Sequence, residues 1–97
     1  MTTLDAFRSS VSAASPPKEA QPALQALWWA AKGDWDQAHK VVQAHGDDGD
    51  CHWVHAHLHH QEGDMSNAGY WYRRAGKPVS KVSVQEEWDE VAAALLK

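Results

Sequence analysis

The residues best suited to chemistry lie on one predicted helix, in the histidine-rich segment 51–62. At 100° per residue, five potential metal ligands fall within an arc of about 100° on this helix: Cys51, His52, His55, His59 and Glu62. His55 and His59 have the i, i+4 spacing at which two imidazoles of one helix bind the same zinc ion, and Cys51 precedes His55 by another turn. This stripe is a candidate zinc site with Cys51, His52, His55 and His59 as its ligands.

A packed and hydrogen-bonded stripe is the alternative, and the sequence favours it. One helix rarely supplies a full tetrahedral ligand set, and the chain has neither a CxxC pair nor the glutamate of an HExxH motif. Imidazoles also pack well against aromatic rings, provided that their nitrogens find hydrogen-bond partners. We therefore predict no metal or other cofactor, and keep the zinc site as the alternative.

Two other polar segments have simpler explanations than ligand binding. The loop 45–50 contains three aspartates, but it lacks the alternating oxygen ligands and closing glutamate of an EF-hand. The segment 70–74, with Lys77 and Lys81 beyond it, combines aromatic rings and cations that can stack on nucleic-acid bases. However, cations are expected at a helix C-terminus, and the formal net charge of -4 provides no overall basic field. We predict no nucleic-acid partner.

Catalysis has little support in the sequence. The obvious acid–base candidates are four histidines outside the stripe: His39, His45, His57 and His60. No serine or cysteine nucleophile lies in a recognisable elbow, and no glycine-rich loop is arranged to hold phosphate. We expect the acidic residues 86, 87, 89 and 90 to form the solvated face and favourable N-terminal charge of the last helix. The protein is therefore predicted not to be an enzyme.

The composition predicts a single small all-α domain. The 97 residues include six tryptophans but one phenylalanine and no isoleucine, while alanine is abundant, a balance that favours closely packed helices over strands. Each tryptophan can bury on the order of 200 Å², which compensates for a short chain. The single cysteine excludes an internal disulfide, and no segment reads as a signal peptide or a membrane span. We expect a cytoplasmic protein with no membrane partner.

Start and stop signals divide this domain, residues 1–97, into about six helices. A short amphipathic helix capped by Thr2 or Thr3 ends before two consecutive prolines. Two helical hairpins follow, and a capping box at Ser83 and Glu86 begins a final helix that we expect to pack on the second hairpin. The predicted boundaries are 3–13 for the N-terminal helix, 18–45 for the first hairpin, 50–76 for the second hairpin and 83–97 for the C-terminal capping helix.

An internal repeat is the strongest signal in the sequence. The blocks GDWDQA and GDMSNA begin 30 residues apart, at Gly33 and Gly63, a spacing typical of stacked helical pairs. The chain resembles a degenerate tetratricopeptide repeat: Ala68 and Tyr72 match the alanine and aromatic positions of that family's second helix. It also resembles the Sel-type variant of these repeats and small bacterial proteins of unassigned function with the same GDW and YWYRRAG blocks. The resemblance implies two stacked hairpins with capping helices at both ends.

The same resemblance implies that the protein binds a protein or a peptide. Stacked hairpins of this family expose one face of their first helices as a shared groove. By the resemblance, that groove is lined by Asp50, Trp53, His57 and His60 from the second hairpin and by Ala23, Leu27 and Ala30 from the first. We expect Trp53 to be an anchor for a partner peptide, a second copy of the chain or the N-terminal helix. Metal binding by the helix 51–62 is the alternative function.

Overall fold

The computed structural model describes residues 3–97 and contains six α-helices, with no strand in that range. The predicted all-α class with about six helices is therefore confirmed. The helices are α1 (Leu4–Ser10), α2 (Pro22–Lys32), α3 (Trp35–Ala44), α4 (Gly49–Gln61), α5 (Met65–Ala75) and α6 (Val84–Leu95). None of these helices has the length and apolar character needed to cross a membrane.

Most helix ends follow the local signals of the sequence. Thr3 Oγ1 accepts a hydrogen bond from the amide of Ala6 at 3.1 Å, whereas Thr2, the other predicted cap, lies outside the described residues. Ser83 and Glu86 form the predicted capping box of α6. The N-terminal helix is shorter than predicted, because it ends at Ser10 and is followed by turns rather than by a further helical turn.

The two hairpins, α2 with α3 and α4 with α5, are built on the same turn. Gly33 and Gly63 have φ values of 89° and 78°, a conformation that glycine adopts without steric cost. The next residues, Asp34 and Asp64, each donate their amide to the carbonyl five residues earlier, at 3.0 and 2.9 Å, and each caps the following helix. The repeat in the sequence is thus a repeat in backbone geometry. Membership of the tetratricopeptide family stays a prediction.

Helix α4 is the centre of the molecule, because it packs against α2, α3, α5 and α6. Eight of its 13 residues are buried, and they lie on every side of the helix. Val54 and Leu58 belong to the main core, whereas Ala56 joins Ala68 and Tyr72 in a second cluster against α5. Since four of the buried residues are histidines, this burial requires that their nitrogens be hydrogen-bonded or their rings stacked.

Helix α6 lies across α2 and α4, the first helices of the two hairpins. The indole Nε1 of Trp88 donates to the carbonyl of Leu27 at 2.8 Å. On α4, the Nδ1 atoms of His57 and His60 donate to the carboxylate of Glu87 at 2.7 and 2.8 Å. The face that the first helices share is therefore covered by the last helix of the same chain.

This placement of α6 corrects the predicted groove. Ala23, Leu27 and His57 have no exposed surface, and Ala30 is 8% exposed. The prediction that these residues line an open groove is therefore wrong, because α6 and the core bury the face on which they lie. Asp50 is exposed and His60 is half-buried.

Helix α1 packs against α6. The ring of Phe7 stacks on that of Trp88 with 5.8 Å between centroids, and Phe7 is 1% exposed. The ammonium of Lys32 donates hydrogen bonds to the carbonyls of Val11 and Ala13 at 2.8 and 2.6 Å. These bonds satisfy carbonyl groups beyond the C-terminus of α1, so the short helix is fixed at both ends.

Candidate metal centre

The four ligands predicted from the helical stripe do not converge. Cys51 is fully buried in the apolar core, and burial, followed by the charge of Asp48, raises the pKa of its thiol to about 12. The thiolate, which is the form that binds metal, is thereby disfavoured. His52 donates from Nε2 to the carbonyl of Gly46 at 2.6 Å. Among residues 3–97, neither Cys51 nor His52 belongs to a cluster of three potential ligands, so only two of the predicted ligands lie together.

Those two, His55 and His59, meet a third imidazole, that of His39 on α3. The ligand nitrogens of this three-histidine cluster all lie within 4.8 Å of one another. His39 Nε2 and His55 Nε2 are 3.1 Å apart, and the rings of His55 and His59 stack with centroids 5.0 Å apart. Two imidazole nitrogens bound tetrahedrally to one zinc ion are separated by about 3.4 Å. The His39–His55 pair is already close to that separation, and a bound ion would replace the hydrogen bond in which the two nitrogens now share one proton.

Aromatic rings hold two members of the cluster in place. Trp35 stacks on His39 with centroids 4.6 Å apart, and Trp71 stacks on His55 at 3.8 Å. The indole of Trp35 is itself fixed, since its Nε1 donates to the carbonyl of Leu58 at 2.8 Å. The two rings therefore restrict rotation of the imidazoles, which lowers the entropy that a bound ion would have to remove.

A carboxylate orients the third member. His59 Nδ1 lies 2.5 Å from Oε1 of Glu62, so we assign the ring proton to Nδ1, from which it is donated to the carboxylate. This tautomer leaves the lone pair of Nε2 free. Histidines that bind metals usually donate their other ring nitrogen in this way, which fixes the tautomer and raises the basicity of the ligand.

Burial keeps two members of the cluster, His39 and His55, uncharged near neutral pH. It lowers the pKa of His55 to about 3, and the neighbouring His39 and His59 lower it further. Burial, followed by the charge of His59, also lowers the pKa of His39. Neutral imidazoles are the form that binds metal, because protonation occupies the lone pair that a metal ion needs.

A second cluster of three potential metal ligands, His57, His60 and Glu87, lies on the opposite face of α4 around a buried carboxylate. The carboxylate of Glu87, only 3% exposed, accepts from His57 and His60 and from the hydroxyl of Tyr72. Burial alone would raise the pKa of Glu87, but the three hydrogen bonds outweigh it and leave that pKa lowered. Burial and this same bond raise the pKa of Tyr72. The cluster links α4, α5 and α6 through the Nδ1 atoms of His57 and His60, whereas Nε2 of the buried His57 has no hydrogen-bond partner.

Sequence reasoning missed the partners that complete both clusters. Glu87 is buried rather than part of a solvated acidic face, so that expectation is wrong. Its position was a signal, because it follows Val84 by three residues and precedes Val91 by four, on the apolar stripe of α6. His39 likewise lies between Trp35 and Val42 on the inner face of α3, where its approach to α4 depends on how the two helices pack.

No protein-family model, curated protein or solved structure matches this chain. Its function is therefore inferred from the chemistry of the clusters themselves.

Proposed function

We propose that the protein binds a divalent transition-metal ion, with zinc as the best fit, through His39, His55 and His59. The observation that supports this most is the convergence of three imidazoles, with 3.1 Å between His39 Nε2 and His55 Nε2. This is the alternative function of the sequence analysis, with His39 in place of Cys51 and His52. The proposal requires little movement, because the rings are already stacked and one is oriented by Glu62.

The donor set determines which ions are suited to the cluster. Three nitrogen ligands favour zinc and neighbouring first-row ions, whereas calcium and magnesium require oxygen ligands. Three ligands also leave one tetrahedral position for water or another small ligand. The half-buried ring of His39 lies on the side from which an ion would enter, since His55 and His59 are each 5% exposed.

Protein or peptide binding stays a prediction, but most of the residues expected to line its groove are buried. The groove that the repeat resemblance implied is covered by α6, which buries Leu27 and His57. A partner binding there would have to displace Trp88 from the core, at a cost of several kcal/mol. The metal proposal requires no such rearrangement, and for that reason the geometry favours it.

The proposal is tested by measuring metal content and affinity. The protein is stripped with chelator, loaded with zinc, freed of excess ion and subjected to elemental analysis, and its affinity is measured against a chromophoric chelator. We expect one zinc ion per chain in the unmodified protein, and loss of binding in His39→Ala and in His55→Ala. Zinc that is not retained by the unmodified protein would contradict the proposal.

Two control variants separate this site from other sources of binding. His45 is an exposed histidine, so His45→Ala should retain full affinity and reports binding to surface imidazoles. Cys51→Ser should also retain it, because the thiol is in the apolar core. Loss of zinc in Cys51→Ser together with retention in His39→Ala would restore the ligand set predicted from the helical stripe.

A further inference from the structure

A cavity of about 390 Å³ lies between α4, α6 and the segment that joins α5 to α6. Its walls come from three parts of the chain: Trp53 of α4, the irregular segment 77–82, and Glu87 and Glu90 of α6. The volume is within the range of small-molecule sites, which begins at about 300 Å³. The cavity shares no residue with the three-histidine cluster, so any ligand it binds is independent of the proposed metal.

The three walls differ in their chemistry. Trp53 presents a half-buried aromatic ring, with the ammonium of Lys77 4.3 Å from its centroid. Lys77 and Lys81 place two exposed cations on the irregular segment, and Glu87 and Glu90 place two carboxylates on α6. Cationic and anionic side chains are thus separated onto different walls, and the aromatic ring forms the third.

The balance of these charges determines which ligands are favoured. Two cations and two carboxylates give no net preference for a simple anion or a simple cation. A ligand that carries one positive and one negative charge would pair each of them with the wall of opposite charge. Glu87 already accepts three hydrogen bonds, so it adds to the field while the exposed carboxylate of Glu90 is free to contact a ligand.

We infer that this cavity binds a small zwitterion with an aromatic or bulky apolar group, of the class of free α-amino acids. The apolar group stacks on Trp53 in the place of the Lys77 ammonium. The released Lys77 and Lys81 pair with the ligand carboxylate, and Glu90 pairs with its ammonium group. This gives Trp53 the role of an anchor for a small molecule rather than for a peptide.

Four compounds test which groups the cavity recognises: L-phenylalanine, phenylacetate, phenethylamine and N-acetyl-L-phenylalanine amide. Binding is followed by NMR chemical-shift changes of the protein, in the presence of chelator so that metal binding plays no part. We expect L-phenylalanine to bind saturably, and each compound lacking one or both charges to bind at least about fivefold more weakly. The perturbed resonances should include the indole of Trp53.

Variants at exposed positions locate the site without unfolding the protein. Lys81→Ala and Glu90→Gln should each weaken L-phenylalanine binding, whereas Lys40→Ala, at an exposed lysine outside the cavity, should not. Absence of saturable binding up to about 10 mM, an affinity weaker than any specific site of this size should have, would overturn the inference. Equal affinity for the capped compound would also overturn it, and would favour docking of a peptide side chain. Failure here leaves zinc binding unaffected, since the two measurements use different residues.

Discussion

Two faces of α4 carry pairs of histidines, and they differ in what they meet. On the face toward α6, His57 and His60 meet a carboxylate, and each donates its Nδ1 proton to Glu87. On the face toward α3 and α5, His55 and His59 meet a third imidazole and the rings of tryptophans. The same residue type on the same helix therefore lies beside a buried carboxylate on one face and, on the other, beside imidazole and indole rings with only the partly exposed carboxylate of Glu62 in contact.

This contrast between the two faces indicates where a ligand is to be expected in this fold. A buried carboxylate surrounded by N–H and O–H donors is satisfied by the protein itself, and such a cluster stabilises the fold. His39 and His55 share one proton between their Nε2 atoms, and a metal ion can bind both atoms once that proton moves to Nδ1 or to solvent. Since a third imidazole lies within reach, we expect a ligand on this face rather than on the face whose carboxylate is already satisfied.

The largest expected effect is on the α6 face. Glu87→Ala removes the acceptor of three donors, two of them buried, so it should lower the free energy of unfolding by about 3 to 5 kcal/mol. Chemical denaturation monitored by tryptophan fluorescence measures this loss. The matched change at the exposed neighbour, Glu90→Ala, should have little effect on stability. Equal, small losses in both variants would show that the carboxylate cluster does not hold α6 in place.

Zinc separates the two faces directly. At a free concentration of 100 times the dissociation constant, zinc should stabilise the unmodified protein by about 2.7 kcal/mol. His55→Ala should abolish that increment, whereas His60→Ala, although less stable at the outset, should retain it. Thermal unfolding of the three proteins, each with zinc and with chelator, provides the six curves required. The reverse pattern would move the metal to the face of Glu87.

The metal-free protein should lose stability as the pH falls below neutrality. In the unfolded chain His55 takes up a proton near pH 6.5, but in the fold its lowered pKa of about 3 keeps it neutral. The contribution of neutral His55 to the free energy of unfolding is therefore complete above pH 6.5. It decreases by about 1.4 kcal/mol for each pH unit below that value. His39, whose pKa is also lowered, acts in the same direction.

Denaturation midpoints between pH 7 and pH 5 in chelator test this dependence. The lowered pKa of Glu87 adds a loss of stability only below its unfolded value of about 4.5, outside this range. His55→Phe should therefore flatten the dependence, while Glu87→Gln should leave its slope unchanged. If stability depends on pH as steeply in His55→Phe as in the unmodified protein, other histidines cause that dependence.

The smallest expected effect concerns the ring that positions His39. Trp35→Phe removes the hydrogen bond to the carbonyl of Leu58 and should lower the free energy of unfolding by about 1 kcal/mol. It should also weaken zinc binding, because His39 loses most of its stacking partner. Trp29→Phe is the control: Trp29 packs against Trp28, so its replacement should leave zinc affinity unchanged.

Local signals account for most of what the sequence predicted correctly. The caps at Asp34, Asp64 and Ser83 depend on residues within one helical turn, and the glycines before two of them depend only on backbone conformation. The repeat of GD blocks therefore located both hairpin turns. Such features are set by neighbours in the chain, which is why periodicity and capping residues are sufficient to find them.

The candidate sites depend instead on how the helices pack, and the sequence predicted their residues only in part. Helical spacing correctly predicted that His55 and His59 lie together. It also included Cys51, which instead lies in the hydrophobic core because α4 is buried on every side. His39 joins the cluster only through the packing of α3 on α4. The groove was predicted on the face of α2 and α4 that the family resemblance indicates, but one helix of the chain itself covers that face.

The single carboxylate of Glu87 has a consequence for how the protein opens. It joins α4, α5 and α6 through three hydrogen bonds, so none of these helices can detach without leaving buried donors unpaired. Their slowest-exchanging amide hydrogens should exchange together, as one cooperative unit, with the free energy of global unfolding. Helix α1 has no part in this network, and its amides should exchange through a separate and less costly opening.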